Sequence, residues 1–249
     1  MSDVRPFYDG LADLYHLIYE DWPASIERQS NALDKIIRAE TPDARRVADV
    51  ACGIGTQALG LAQRGYEVIA SDVSEQALER AQREAAARNL QIDFRIDDML
   101  RLSTYRDQSV DVLLACDNAV PHLLSDDAIA SAFRQFHRVV RPGGTCMISV
   151  RDYAATPREP LRFVPYGVRA LPEANVAIFQ VWEWEGDQYN LSMYFVHDDG
   201  VRVDTRVVRT RYYAISIAKL IDLFTQAGFA DVRRIDDRYF QPLIVASVR

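Results

Sequence analysis

The chain has 249 residues, 49% of them hydrophobic and 26% charged, with a formal net charge of −7. That length suits one domain with an insertion, or one and a half domains, and an acidic balance without a lysine or arginine run argues against nucleic acid, whose phosphates need basic surface. No apolar run reaches the roughly 20 residues of a membrane span, and the first residues lack a signal-peptide layout. Cys52, Cys116 and Cys146 lack pairing spacing, as reduced thiols in a cytoplasmic protein would, and no cysteine–histidine cluster has metal-ligand spacing.

Residues 6–22 crowd five aromatics, Phe7, Tyr8, Tyr15, Tyr19 and Trp22, ahead of the first strand. Such a segment either folds over a ligand as a lid or packs an aromatic stripe on the core. Residues 24–38 read as a helix with Ile26, Leu33, Ile36 and Ile37 on its apolar face and Arg28 off it. Val47 to Val50 is short, apolar and β-branched, a buried strand. Gly53 and Gly55 turn the chain, and Thr56 to Arg64 continues at helical spacing. Strand, glycine turn and helix form a nucleotide-binding loop whose free N–H groups face a ligand. A second strand, 67–71, ends in Asp72, about 20 residues on, where an acid can take ribose hydroxyls.

Ser74 and Ser125 cap the next two helices, which bury Ala77, Leu78, Ala81 and Ala85, and Ile129, Phe133, Phe136 and Val140. Residues 91–96 and 110–115 are the third and fourth strands. Polar clusters follow each: Asp97-Asp98-Met99, then Cys116-Asp117-Asn118-Ala119-Val120-Pro121-His122. A tight turn at 141–144 leads into a fifth strand, 145–150. Strands alternating with helices predict an α/β fold with a doubly wound, Rossmann-like parallel sheet that binds ligands at the carboxyl ends of its strands.

The alternation then stops. Pro157, Pro160, Pro165 and Pro172 make 153–172 a loop, while 176–185, 189–197 and 201–212 read as an antiparallel meander with turns at Gly186-Asp187 and Asp198-Asp199-Gly200. A helix at 217–227 ends at Gly228, and strands at 232–235 and 243–248 pair antiparallel. The expected organisation is a helical lid segment at 1–45, a cofactor-binding core at 46–152, an antiparallel β insertion covering the substrate at 153–213, and a helix and strands at 214–249 that complete the core.

Gly53-x-Gly55-x-x-Ala58 by itself also passes as a dinucleotide fingerprint. Asp49 lies inside the strand, where a dehydrogenase is usually apolar. The pattern D-V-A-C-G-I-G-T with a later S-D-V-S resembles the class I S-adenosylmethionine-dependent methyltransferases. The resemblance implies S-adenosyl-L-methionine as cofactor and S-adenosyl-L-homocysteine as product. Asp72 would take the ribose, and Asp98 and Met99 the adenine, with Asp97 as an alternative. Ala51, Gly53 and Gly55 would hold the amino acid end, with Asp49 behind the loop and Cys116 beside the ligand. Methyl transfer needs its partners held in line, a positioning effect that can supply on the order of 7–11 kcal/mol, so it requires no triad or metal.

Tyr8-x-x-x-Ala12-x-x-Tyr15-x-Leu17, the D-V-A-C-G core, C-D-N-A-V-P-H-L and S-V-R-D-Y together resemble the glycine N-methyltransferase group, including bacterial glycine and sarcosine methyltransferases. That likeness covers most of residues 7–153. It implies that Asn118 and Arg151 bind the substrate amino acid: the arginine fork clamps the carboxylate and the asparagine carbonyl accepts from the amine. It further implies His122 near the sulfonium, Arg28 on the cofactor carboxylate, Tyr8 and Tyr15 over the cofactor, and Tyr212 or Tyr213 lining the substrate. Asp117 departs from that group, whose residue at this position is usually small.

The resemblance implies a small-molecule N-methyltransferase for glycine, sarcosine or a related amino acid. The expected partner is a small-molecule substrate, with no nucleic acid and no membrane, and association with further copies of the chain stays open. Other acceptors (a natural-product amine, hydroxyl or thiol) stay open because of the diverged 153–213 segment. A nicotinamide-dependent oxidoreductase would need a tyrosine–lysine pair, and neither Lys35 nor Lys219 follows a tyrosine suitably. A module that binds the cofactor without turnover is the remaining alternative.

Overall fold

The structure, a computed structural model, describes residues 4–249. Helix α1 (Arg5–Leu11) is followed by a 3₁₀ turn (Tyr15–Ile18) and by α2 (Trp22–Glu40), which Asp21 caps by accepting from the Ala24 N–H. The core then alternates β1 (Arg46–Asp49), α3 (Thr56–Gln63), β2 (Glu67–Asp72), α4 (Glu75–Ala87), β3 (Ile92–Ile96), β4 (Val110–Ala115), α5 (Asp126–Val139) and β5 (Val140–Ser149). Ser74 and Ser125 cap α4 and α5 through their hydroxyls, the half-bonded arrangement that favours serine there. A meander of β6 (Leu161–Ala170), β7 (Asn175–Glu185), β8 (Gln188–Asp198) and β9 (Val203–Tyr213) precedes α6 (Ile217–Gln226), β10 (Ala230–Ile235) and β11 (Leu243–Ser247).

The main sheet has seven strands in the order β10-β11-β5-β4-β1-β2-β3. β5, β4, β1, β2 and β3 run parallel, and β11 pairs antiparallel with both β5 and β10. This is the doubly wound, Rossmann-like architecture with an antiparallel final strand. Its order reverses between β1 and β4, where open α/β sheets take ligands. Two apolar layers flank the sheet: Phe133, Phe136, Leu220 and Phe224 from α5 and α6 on one face, Leu33, Ile37, Leu61 and Leu78 from α2, α3 and α4 on the other.

The four meander strands form a second antiparallel sheet, β6-β7-β8-β9. Its inner face, with Val176, Ile178, Trp182, Tyr189, Leu191, Met193 and Phe195, packs with Phe7, Leu11 and Leu17 of the N-terminal segment. Two expectations change. The stretch 153–172 is not all loop, because β6 crosses it with Pro165 opposite Phe179; β6 is an edge strand, where a missing N–H costs little. The turn at 141–144 is absorbed into β5, which starts at Val140 and shifts register against β4 between Val110 and Val112.

Among the described residues, no helix is long and apolar enough to cross a membrane, and no group of three His, Cys, Asp or Glu could hold a metal ion.

Candidate functional site

At the carboxyl ends of β1, β2, β3 and β4 lies a cavity of about 710 Å³. Its floor is backbone, residues 50–54 with Thr56 and Gln57. Gly53 sits at φ +52° and Gly55 at φ +90°, left-handed conformations that glycine adopts freely. A Cβ at Gly53 would also come within 3.2 Å of the Tyr15 ring, so the bare backbone keeps the cradle open. Asp72 closes one side. Its oxygens accept from the Gly53 N–H (2.8 Å) and the Ser74 N–H (2.9 Å), aiming the carboxylate at the glycine turn. Burial raises its pKa and the backbone donors oppose that rise.

Asp98, Met99 and Leu100 line the same cavity. Asp98 accepts from the Leu100 N–H (2.9 Å). Asp97, the alternative for an adenine contact, is committed elsewhere: it accepts from the backbone N–H and hydroxyl groups of Ser103 and Thr104. Cys116, Asp117 and His122 form the opposite wall. The buried His122 sits between Tyr8 (Oη–Nε2 2.9 Å) and Thr210 (Oγ1–Nδ1 3.3 Å). Burial pushes its pKa down to about 3, so it is a neutral imidazole.

Asp49, Gly55 and Arg28 are not brought to this cavity surface. Gly55 caps α3. Asp49 lies behind the loop with both oxygens lacking a hydrogen-bond partner; burial, then the neighbouring Asp72 charge, pushes its pKa up to about 7. Arg28 donates to Ser25 Oγ (2.8 Å) and lines a separate groove with Asn31, Lys35 and Arg238. Its helical position on α2 faces it away from the cleft.

A second, smaller cavity of about 60 Å³ adjoins the first, and Tyr8, Tyr15 and Asp117 line both. Arg151, Tyr166, Gln180, Tyr189, Leu191, Met193, Tyr212 and Gln241 are also on its wall. Tyr212 packs at a tilt of 37° against His122, ring centroids 4.0 Å apart, whereas Tyr213 turns outward and donates to Asp126 (2.9 Å). The Arg151 guanidinium lies 4.4 Å over the Trp182 ring and 3.5 Å from the Tyr189 hydroxyl. No ion pair involves it among the described residues. Burial weakens its hold on the proton, and the surrounding Tyr189, Tyr153, Tyr166 and Tyr212 oxygens more than restore it.

Asn118 differs from its expected role. Its carbonyl accepts from the Arg151 N–H (3.0 Å) and the Tyr153 hydroxyl (3.2 Å), and its amide donates back to Tyr153 (2.8 Å). The side chain therefore braces the ends of β4 and β5, and its two carbonyl lone pairs are in use.

Several lining residues carried no sequence assignment: Tyr166, Gln180, Tyr189 and Gln241. One signal was present. Gln180 interrupts the inward row Val176, Ile178, Trp182, and a polar residue in an apolar alternation marks a position facing something other than core.

The N-terminal segment roofs both cavities. Tyr19 donates to Asp117 Oδ2 (3.2 Å), Asp9 accepts from Ser74 Oγ (2.6 Å), and Trp22 donates to Thr56 Oγ1 (2.9 Å). It thus does both things that its aromatics allow: Phe7, Leu11 and Leu17 pack into the core while Tyr8, Tyr15 and Tyr19 face the ligand space.

Residues 47–144 match a family model of the methyltransferase domain. The chain is 29% identical to YqeM of Bacillus subtilis over 150 residues, 58% of this chain and 56% of that protein. It is 26% identical to a glycine/sarcosine N-methyltransferase of Parasynechococcus marenigrum over 133 residues, 53% of this chain and 46% of that one. The chain thus spans about half the length of these relatives. In fold it matches the crystal structure of DesVI from Streptomyces venezuelae (TM-score 0.84, 20% identity, 96% and 98% of the two chains). It also matches S-adenosylmethionine-bound CalS10, an amino pentose methyltransferase from Micromonospora echinaspora (TM-score 0.78, 18% identity, 95% of each chain). Residues 47–144 thus carry the likeness to a methyltransferase domain, and S-adenosyl-L-methionine is the ligand bound in the CalS10 structure. The bare glycine cradle, the Asp72 carboxylate and the size of the main cavity fit that ligand.

Proposed function

We propose that the protein is an S-adenosylmethionine-dependent N-methyltransferase whose acceptor is a small amine carrying a carboxylate, such as glycine, sarcosine or a related amino acid. The observation that supports this most is Arg151. It is a part-buried guanidinium without an ion-pair partner among the described residues, facing a cavity of only about 60 Å³ beside the cofactor space. A charge that has lost part of its hydration gains from a ligand that completes it, and its planar fork matches a carboxylate.

When bound, the cofactor supplies an activated methyl group. The chain's residues position the partners. The 51–55 backbone and Asp72 would hold the cofactor, Arg151 would fix the far end of the acceptor, and Tyr8, Tyr15 and Tyr19 would exclude water from the junction. The neutral His122 would not repel a sulfonium.

The test is Arg151→Ala with a panel of acceptors. KM for glycine or sarcosine is expected to rise by a factor equivalent to about 2–5 kcal/mol, with calorimetric affinity for S-adenosylhomocysteine nearly unchanged. Carboxylate-free amines, amino sugars among them, should be handled alike by both proteins. Equal glycine kinetics in variant and wild type would remove the carboxylate assignment.

A further inference from the structure

If the acceptor carries a carboxylate held by Arg151, its amine must face a group at the other end of the small cavity. The Asn118 carbonyl is already committed to Arg151 N–H and Tyr153. Of the side chains that line both cavities, where nitrogen and methyl must meet, Tyr8 and Tyr15 are phenols and Asp117 is the carboxylate, the one that can match an ammonium charge.

Asp117 is held there by an unusual piece of backbone. Asp117 and Asn118 are both left-handed, at φ +57° and +64°, a conformation that costs non-glycine residues energy and that Asp and Asn tolerate best. The ends of β4 and β5 enforce it: Asp117 N–H donates to Ser149 Oγ (2.7 Å) and Asn118 N–H to the Ser149 carbonyl (3.0 Å). Among the described residues, the donors to the carboxylate are uncharged, Tyr19 Oη at 3.2 Å and Gln241 Nε2 at 3.5 Å. Four lone-pair sites on two oxygens leave room for a further donor.

We propose that Asp117 is the ammonium site of the acceptor pocket, opposed to Arg151, and that it takes the proton which must leave the acceptor nitrogen before methyl transfer. This rests on the amine reading above and deepens it. The acceptor enters as an ammonium and hydrogen-bonds to the carboxylate. One N–H bond breaks, its proton passes to the Asp117 oxygen, and the electron pair stays on nitrogen. That pair forms the new nitrogen–carbon bond as the carbon–sulfur bond of the cofactor breaks and leaves its pair on sulfur. The product leaves as an N-methylammonium, and Asp117 returns its proton to solvent.

In a dry pocket a carboxylate and an ammonium both lose hydration, so transfer to the neutral pair is easier than in water. Burial already raises the Asp117 pKa, with Tyr19 and Arg151 opposing the rise. The other titratable groups that feel its charge are Cys116 and the phenols of Tyr8, Tyr15, Tyr19, Tyr166, Tyr212 and Tyr239, all raised by burial and neutral near pH 7.

Asp117→Asn tests the charge while leaving an oxygen for Tyr19. Titration calorimetry on the S-adenosylhomocysteine-loaded protein would compare glycine, acetate and methylamine. Asn at 117 is expected to weaken glycine and methylamine by about 10–100-fold, as loss of a charged hydrogen bond does, and to leave acetate and S-adenosylhomocysteine within about threefold. The acid limb of the pH profile of kcat/KM should move up to the acceptor amine's own pKa, because only the neutral amine can then react. Glycine binding and a pH limb both unchanged in the variant would overturn this assignment alone. Loss confined to S-adenosylmethionine would also overturn it, because Asp117 would then be the sulfonium's counter-ion. A wild type that binds neither glycine nor methylamine overturns both this and the amine reading.

Discussion

Asp49 shows how a single side chain here trades stability for a charge held in reserve. It is fully buried and unpaired, and burial with the Asp72 charge pushes its pKa up to about 7. An unfolded aspartate titrates near 3.9. Between about pH 4 and 7, therefore, the folded chain holds a proton that the unfolded chain has lost. The contribution of this group to stability is full below about pH 4 and is lost as pH rises through about 7. Asp49→Asn removes the titration. Without cofactor the variant should match wild type at pH 4 and exceed it at pH 8 by up to on the order of 4 kcal/mol, about three pKa steps. Urea midpoints at the two pH values are the check; the same offset at both would show that Asp49 is not the group responsible.

At the scale of elements, α2 and α3 meet more closely than their sequences alone require. Gly60 in the middle of α3 faces Ser30 of α2, and a Cβ there would lie 2.5 Å from the Ser30 Cβ and 2.9 Å from the Ile26 carbonyl. Glycine normally costs a helix about 1 kcal/mol relative to alanine, so here it marks contact. Gly60→Ala is expected to destabilise the protein by about 1–2 kcal/mol despite that propensity gain, since overpacking costs about 1–3 kcal/mol. The urea midpoint should fall at constant m value, and a rise would mean that the helices separate without penalty. Gly60 also illustrates what the sequence conveys. Strand periods, serine caps and the glycine turn are local, so the βα order and the loops at strand ends could be read directly. β6 could not, because Pro165 signals a loop unless the strand is known to be an edge. The acceptor cavity was only half legible. Asn118 and Arg151 follow strands, but Tyr166, Gln180 and Tyr189 arrive from a separate sheet whose docking no local pattern encodes.

Over the whole molecule, neither cavity belongs to one piece of chain. The parallel sheet supplies the cradle, the meander supplies Tyr166, Gln180, Tyr189 and Tyr212, and the N-terminal segment closes the junction with Tyr8, Tyr15 and Tyr19. Arg169 of β6 joins the last two. Its Nε donates to the carbonyls of Leu17 (2.9 Å) and Tyr19 (3.0 Å), and Nη2 to that of Ile18 (3.4 Å), capping the 3₁₀ turn that carries Tyr15. Carbonyls at a helix end lack partners of their own, and a guanidinium satisfies three of them at once. Removing it should loosen the roof without disturbing either sheet. Arg169→Ala is expected to raise amide exchange across residues 15–20 and to weaken S-adenosylhomocysteine by roughly tenfold or somewhat more, the scale of a charge-assisted hydrogen bond of about 1.5–3 kcal/mol. Exchange in β7 and β8 should stay as it was. Hydrogen-exchange mass spectrometry with calorimetry separates the outcomes: looser amides with unchanged affinity would show that the aromatic roof covers the cofactor without holding it, and unchanged amides would show that the latch is Trp22–Thr56 and Asp9–Ser74 instead.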